Sequence, residues 1–306
     1  MRAEGGRRKA EGGETARSCD VSSSPRPLPP SPALRLPPST SVRLIATDLD
    51  GTLLRADRSV SERTRAALTC AQARGIVVVL ATARPPVATR LFAEQVGIGG
   101  HAICSNGAIL YDIARDELLG HYPLDAGTAR GLILALREAI PGVCFGLIQE
   151  RDFACEPAYA ATARVEDHGR LLEEMRVGDA LDLLDVPLTK LVVRHPERLP
   201  HDVLMTVQTL GLDGFEATHS GAPFLEIVAA NVTKAWALAS LCERLGIDAA
   251  EVVAFGDAPN DAAMLQWAGL GVAVANAYPA AREAADEITV SNEEDGVAIV
   301  VERLLR

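Results

Sequence analysis

Short apolar runs alternate with longer amphipathic segments along most of the chain. Apolar runs at 42–46, 76–82, 101–104 and 251–255 have the length of buried strands. The segments that follow them span 10–15 residues and repeat their apolar positions with a helical period. This alternation predicts βαβ units, and hence a doubly wound α/β fold in which helices cover both faces of a parallel sheet.

The predicted helices have recognisable ends. The stretch Ser59–Glu62 has the spacing of a capping box and opens a helix that stops near Gly75. Two prolines at 85–86 suit the first turn of a second helix, which ends at Gly97. An amphipathic helix over 232–246 and shorter helices after residue 260 complete the pattern.

The middle of the chain lacks the regular alternation of strands and helices. Residues 116–220 mix helices, isolated strands and an irregular charged stretch, which is typical of an α+β unit. We therefore predict a catalytic core formed by 42–115 and 221–306, with 116–220 inserted as a second domain.

The N-terminal 41 residues are rich in Gly, Ser, Pro and Arg, with seven prolines between Pro25 and Pro38. Such a segment buries too little apolar surface to offset the entropy of ordering it. We predict that residues 1–41 form a disordered tail.

Charge and hydropathy narrow the function. The 306-residue chain carries a net charge of −11, with +3 on residues 1–41 and −14 on the rest. This acidity argues against a nucleic-acid partner. The apolar runs fall short of the ~20 residues of a membrane helix, and no apolar leader segment is evident. The six cysteines are widely spaced, as expected of reduced thiols. We expect a cytoplasmic protein without a membrane partner.

Polar residues follow the predicted strands where ligands bind in parallel α/β sheets, beyond the carboxyl ends. They stand in the stretches DLDGT at 48–52, TAR at 82–84, NVTK at 231–234 and GDAPND at 256–261. Each taken alone has a plainer interpretation, as turn residues, a helix N-terminus or a solvated lysine. Their convergence on one sheet edge favours a shared site.

These motifs, in this order, resemble those of the haloacid dehalogenase superfamily of phosphohydrolases. The strand with Asn106-Gly107, and an insert between it and the lysine helix, are similar to the Cof-type branch with its larger class IIB α/β cap. The resemblance covers about 42–306 and implies a Rossmann-like core with an inserted cap.

The resemblance also implies roles for individual residues. Asp48 would attack phosphorus and form an aspartyl-phosphate, while Asp50 would protonate the leaving group and then activate water. Lys234 would stabilise the transferring phosphoryl group. The Asp48 carboxylate, the Asp50 main-chain carbonyl and Asp257 would bind Mg²⁺, with Asp261 in support.

Several further residues are implied as phosphate-binding. They are Leu49 and Gly51 of the first turn, Thr82, Ala83 and Arg84 of the second, and Asn106, Asn231 and Asn260. Arg84 could equally be a surface residue of the next helix, and Asn106 only part of a turn. The family usually has glycine where Ala83 stands, which predicts a slightly different Thr82 loop. Glu226 interrupts an apolar strand close to the site and is a further candidate for a functional role.

The expected function is Mg²⁺-dependent hydrolysis of small phosphorylated metabolites, with the cap reading the leaving group. A phosphomutase or phosphotransferase would use the same aspartyl-phosphate. A phosphometabolite sensor would not need both Asp48 and Asp50. The sequence gives no prediction of the physiological substrate or the oligomeric state.

Overall fold

A computed structural model describes residues 42–150, 152–162 and 175–306. The predicted disordered tail, residues 1–41, lies outside them. The strands of the larger sheet are β1 (Leu44–Thr47), β2 (Val77–Ala81), β3 (His101–Cys104), β4 (Ile109–Asp112), β5 (Glu117–His121), β12 (Val252–Gly256), β13 (Leu270–Ala273) and β14 (Glu287–Ile288).

Within the described residues this sheet has eight strands, in the order β14-β13-β12-β1-β2-β3-β4-β5. The pairs from β14 to β3 are parallel, and β4 and β5 continue as an antiparallel hairpin. Crossovers run outward in both directions from β1. The predicted doubly wound α/β fold is therefore confirmed.

Helices cover both faces of this sheet, as predicted. The helices are α1 (Glu62–Ala73), α2 (Pro86–Val96), α6 (Lys234–Leu245), α7 (Ala262–Trp267), α8 (Pro279–Ala284) and α9 (Gly296–Leu304). Buried side chains of α1, α2 and α9 pack on one face, and those of α6, α7 and α8 on the other. The apolar strands are buried on both sides, which is why they read as continuous apolar runs.

A second sheet forms the cap. Its strands are β6 (Cys144–Gln149), β7 (Asp152–Cys155), β8 (Arg176–Val177), β9 (Lys190–Arg194), β10 (Phe215–Thr218) and β11 (Leu225–Ala229), and its helices are α3 (Ala126–Ala139), α4 (Pro157–Ala160) and α5 (Pro200–Thr209). In the described part of the chain the strand order is β10-β11-β9-β6-β7-β8. Helices α3 and α5 pack on one face, and the other face is turned toward the core.

The predicted limits of the insert, 116–220, differ from the strand pairing at both ends. Strand β5 belongs to the core sheet, since it pairs with β4. Strand β11, predicted as core, pairs antiparallel with β9 and β10 of the cap. Its nearness in sequence to Lys234 suggested the core, but its hydrogen-bonding partner β9 lies more than thirty residues upstream. We propose that the chain passes between the two sheets at 122–125 and at 230–233.

The helix ends mostly follow the sequence. Helix α2 has Pro86 at its first position and Gly97 as a left-handed C-cap, and Gly246 ends α6 in the same way. Helix α1 differs from the prediction, because Ser61 rather than Ser59 accepts the capping hydrogen bond, from the Thr64 N–H. None of the helices in the described ranges is long and apolar enough to cross a membrane.

Candidate active site

Three buried carboxylates meet where two neighbouring strands end. Asp48 follows β1, and Asp257 follows β12, which pairs with β1 in parallel register. The Asp48 N–H extends this pairing with a 3.0 Å hydrogen bond to the Phe255 carbonyl. Asp261 lies one turn after Asp257, and carboxylate oxygens of all three aspartates lie within 4.8 Å of one another. The parallel register therefore accounts for the cluster.

Lys234 binds this cluster from the first position of α6. Thr233 caps the helix by accepting a hydrogen bond from the Trp236 N–H, which places the lysine against the end of the sheet. Its Nζ donates to Asp48 Oδ1 at 2.6 Å and to Asp261 Oδ1 at 2.7 Å. Its side chain is only 1% exposed.

Asp261 is occupied by protein partners. Its Oδ2 accepts from the N–H groups of Asp257 (3.1 Å) and Ala258 (3.0 Å), while its Oδ1 accepts from Lys234. Both oxygens thus hold the lysine and the loop after β12 in place. This geometry fits the supporting role predicted for Asp261.

The cluster is electrostatically demanding. Burial raises the pKa of Asp48 well above its usual value, against the opposing effect of Lys234. Burial and then the charge of Asp261 raise the pKa of Asp257 to about 7. Burial works against the charged form of Lys234, but Asp261 and Asp48 outweigh it and raise the lysine's pKa. Three carboxylates face a single ammonium, which leaves room for added positive charge.

The residues present fit a divalent cation. Carboxylates on neighbouring strand ends offer the hard oxygen ligands that Mg²⁺ prefers. Gly51 has φ = 82°, and a Cβ at this position would lie 2.5 Å from Asp257 Oδ2. Only glycine leaves that space beside the carboxylate. Asp48 and Asp257 lie where they could bind the ion. The main-chain carbonyl of Asp50 is the third predicted ligand.

Asp50 makes a two-pronged ion pair that the sequence did not predict. Its carboxylate accepts from Arg84 Nε and Arg84 Nη2, both at 2.6 Å. The guanidinium also lies over the Phe92 ring, 4.7 Å from its centroid. The Arg84 side chain is only 13% exposed, whereas the Asp50 side chain is 41% exposed. Arg84 is therefore mostly buried and bound to Asp50, which rules out the alternative of a surface residue on the next helix.

The loop after β2 is tied together by hydrogen bonds around Thr82. The buried Thr82 Oγ1 accepts from the Arg84 N–H (3.1 Å), and its carbonyl accepts from the Asn106 N–H (3.1 Å). The backbone of Ala83 does not adopt a left-handed conformation with positive φ. The alanine therefore fits this loop without the strain that φ > 0 would impose.

Two asparagines lie side by side near the carboxylates. Asn260 Nδ2 donates to Asn106 Oδ1 at 2.9 Å, and Asn106 adopts φ = 59°. Among the described residues, Asn106 Nδ2 and Asn260 Oδ1 have no hydrogen-bond partner although both atoms are buried. Such groups are costly unless a ligand or water satisfies them, which favours a binding role over a plain turn for Asn106.

Two predicted phosphate-binding residues lie differently from the rest. Leu49 is fully buried, and its carbonyl accepts the Leu53 and Leu54 N–H groups, which closes the turn after Asp48. Asn231 is exposed with φ = 62°, and its N–H donates to Glu216 in the cap. Asn231 is not among the described residues that line the cavity, and its role in phosphate binding stays a prediction.

A cavity of about 360 Å³ lies between core and cap above the carboxylates. From the core it is lined by Asp48, Asp50, Gly51, Ala83, Arg84, Asp257, Asn260 and Tyr278, and from the cap by Ile148, Glu150, Asp152, Phe153, Lys190, Val192, Phe224 and Glu226. Glu226, the residue that interrupts an apolar strand, is buried and paired with Lys190. Lys190 begins the apolar strand β9. A charged residue in an apolar strand was the signal that singled out Glu226, and the same signal could have identified Lys190 as a candidate site residue.

The profile of the haloacid dehalogenase-like hydrolases matches residues 45–301. The chain belongs to this family. It is 32% identical over 273 residues to YxeH of Bacillus subtilis (strain 168), which is provisionally named a phosphatase; the match covers 86% of this chain and 98% of that protein. It is 30% identical to the B. subtilis (strain 168) protein YcsE, a 5-amino-6-(5-phospho-D-ribitylamino)uracil phosphatase, over 84% and 93% of the two chains.

A solved structure shares the fold including the cap. The subclass IIB sugar phosphatase BT4131 superposes with a TM-score of 0.73 at 21% identity, over 86% of this chain and 98% of that one. The fold is thus that of the Cof-type members with the IIB cap. With the family established by sequence, the protein is a phosphatase, a hydrolase of phosphoric monoesters.

Proposed function

We propose that this phosphatase hydrolyses small phosphorylated metabolites with the help of Mg²⁺, through an aspartyl-phosphate on Asp48. The observation that carries the proposal is the buried cluster of Asp48, Asp257 and Asp261 around Lys234, at the base of the cleft between core and cap. The cavity of about 360 Å³ suits a small metabolite. We expect the enzyme to act in the cytoplasm.

In the first half-reaction, an Asp48 carboxylate oxygen attacks phosphorus and the bond from phosphorus to the leaving oxygen breaks. Asp50 donates its proton to that oxygen, so the alcohol leaves neutral. In the second, Asp50 takes a proton from a water molecule as the water attacks phosphorus. The Asp48–phosphate bond then breaks and inorganic phosphate is released.

The remaining residues bind and orient the phosphoryl group. Lys234 holds Asp48 in position and offsets the negative charge that gathers on the phosphoryl oxygens. Thr82, Asn106 and Asn260 present hydroxyl and amide groups from the adjacent loops, and the turn from Leu49 to Gly51 presents backbone N–H groups. Mg²⁺, when bound by Asp48, Asp50 and Asp257, supplies positive charge beside the transferring group.

The leaving group lies against the cap in this proposal. The cap side of the cavity combines the apolar side chains of Ile148, Phe153 and Phe224 with charged groups. Such a lining suits a carbon skeleton that carries polar substituents. Relatives named for a phosphoribitylamino-uracil and for sugar phosphates support leaving groups of this kind.

The test is phosphate release from a panel of sugar, polyol and vitamin phosphates with Mg²⁺, comparing wild type with Asp48→Asn. We expect turnover by the wild type and none by the variant, together with a phosphorylated Asp48 peptide in acid-quenched wild-type enzyme. Asp57→Asn is the matched control, because Asp57 is exposed and accepts a local hydrogen bond from the Ser59 N–H. Turnover by Asp48→Asn would contradict the covalent route, and an isomeric phosphate as product would indicate a phosphomutase.

A further inference from the structure

Lys190 occupies an unusual place in the cap. It is the first residue of β9, in the centre of the cap sheet, and its side chain is only 3% exposed. Charged side chains are rarely buried to this degree without a specific partner. Glu226 of the adjacent strand β11 supplies one, since Lys190 Nζ donates to Glu226 Oε1 and the glutamate is 1% exposed.

The second contact of Lys190 crosses to the core. Its Nζ donates to the main-chain carbonyl of Ala83 at 2.9 Å. Ala83 stands between Thr82 and Arg84 in the loop that follows β2. A cap lysine therefore holds the backbone of the loop that carries the proposed phosphate-binding residues Thr82 and Arg84.

That loop leads directly to Asp50. The Arg84 N–H is fixed on Thr82 Oγ1, and the Arg84 carbonyl accepts from the Ser105 N–H at 2.9 Å. With its backbone held at both groups, Arg84 directs its guanidinium to both oxygens of Asp50. Asp50 itself is 41% exposed, so this ion pair is the main feature that fixes its direction.

We propose that Lys190 is a positioning residue which couples closure of the cap to the orientation of Asp50. The contact with Ala83 forms only when the cap lies against the core, and it sets the loop from which Arg84 aims the acid at the leaving oxygen. The inference rests on the proposed role of Asp50 as general acid. In this proposal, the orientation of the Asp50 carboxyl group depends on the position of the cap, the domain that contacts the leaving group.

The test compares leaving groups that differ in their need for a proton. Phenolate has a conjugate-acid pKa near that of tyrosine, about 10, and leaves poorly without protonation. The p-nitrophenolate ion is much less basic and leaves unprotonated. The measured quantity is the ratio of kcat/KM for p-nitrophenyl phosphate to kcat/KM for phenyl phosphate, with Mg²⁺ present.

In Lys190→Met we expect this ratio to rise about tenfold, a fraction of the 10²–10⁴ that a general acid contributes. Lys190→Arg, which keeps a donor for Ala83, is expected to restore part of the wild-type ratio. Glu226→Gln is expected to keep the ratio near wild type, because its amide oxygen can still accept from Lys190.

Two variants guard against trivial loss of structure. Lys190→Met combined with Glu226→Gln leaves no unpaired buried charge and should show the raised ratio in a folded protein. Arg137→Met breaks a partly buried ion pair with Glu156 elsewhere in the cap and should leave the ratio unchanged. An unchanged ratio in folded Lys190 variants, whether rates stay or fall equally for both esters, would overturn the proposal. Loss of the Asp48 requirement would overturn the proposed function instead.

Discussion

Lys234 in the core and Lys190 in the cap are both almost fully buried, but their surroundings differ in charge. Lys234 donates to two carboxylates and lies beside a third, so its neighbourhood is negative overall. Lys190 donates to one carboxylate and to one neutral carbonyl, so its neighbourhood is balanced. Lys190 lines the cavity from the cap, whereas Lys234 binds Asp48, which lines the cavity from the core.

The difference in charge suggests that the cluster around Lys234 requires a bound cation, whereas the contacts of Lys190 satisfy its charge without a ligand. Buried charges are stable only when their attraction offsets the loss of hydration. We expect the core cluster to reach charge balance by binding a cation, whereas the Lys190–Glu226 pair is balanced without one. We therefore expect substitutions in the core cluster around Lys234 to stop the reaction. Substitutions of the Lys190–Glu226 pair are expected to impair the coupling between cap and core.

The largest effect is expected from Lys234→Met. Without the ammonium, Asp48 and Asp261 lose their shared partner and the phosphoryl group loses a charge-stabilising donor. We expect kcat/KM to fall by about 10³-fold, in line with the loss of a donor that acts on the transition state. Steady-state phosphate release measures this loss of kcat/KM. Lys190→Met is the comparison, and we expect it to lose far less kcat/KM for p-nitrophenyl phosphate. Equal losses in the two variants would remove the distinction between the two lysines.

Metal binding sharpens the same contrast. Mg²⁺ at a hundred times its Kd should stabilise the wild type by about 2.7 kcal/mol, seen as a rise of several degrees in Tm. Asp257→Asn should lose most of this rise, because the variant removes one of the proposed ligands. A chelator should stop turnover in the wild type. An equal Mg²⁺ response in Asp257→Asn would place the ion elsewhere.

Gly51→Ala tests the space beside Asp257. The new Cβ would meet Asp257 Oδ2 at 2.5 Å, and φ = 82° adds backbone strain of about 1–2 kcal/mol. Gly75→Ala is a matched control, since Gly75 has φ = 81° and a Cβ there would have nothing within 4 Å. We expect both variants to lose stability, but only Gly51→Ala to lose kcat/KM and Mg²⁺ affinity. Similar activities in the two would show that strain alone matters.

The smallest net effect is expected from the double variant of the cap pair. Lys190→Met alone leaves Glu226 buried without its partner and should cost about 3 kcal/mol in the free energy of unfolding. Adding Glu226→Gln removes the unpaired charge and should recover most of that loss, within about 1 kcal/mol of wild type. Urea unfolding of the three proteins measures this. No recovery in the double variant would mean that the pair stabilises the fold through its charges.

Much of the core could be predicted from local sequence. Parallel strands end at one edge of a sheet, so polar residues after separate strands were expected to meet there, and Asp48, Asp257 and Asp261 do. The lysine of the NVTK stretch joins them because α6 begins at Lys234. In these cases the chain position of a residue relative to its own strand or helix was sufficient.

The interdomain contacts could not be predicted in this way. The Lys190–Ala83 contact joins residues more than a hundred positions apart, and the Arg84–Asp50 pair depends on how one loop folds over another. Strand β11 was placed in the core because nothing in its own residues identifies a partner. The left-handed backbone of Asn231 and the hydrogen bond from its N–H to Glu216 of the cap were likewise not predictable from its distance to Lys234 in sequence.

The two crossings between the sheets have a mechanical consequence. The chain leaves β5 after His121 and enters α3 at Ala126, and it returns from β11 at Ala229 to α6 at Lys234. A rigid body tethered by two short links keeps one easy motion, rotation about the line that joins them. We therefore expect the cap to rock over the cavity rather than slide across it. The second link ends on Lys234, so the expected pivot lies next to the residue that binds Asp48 and Asp261.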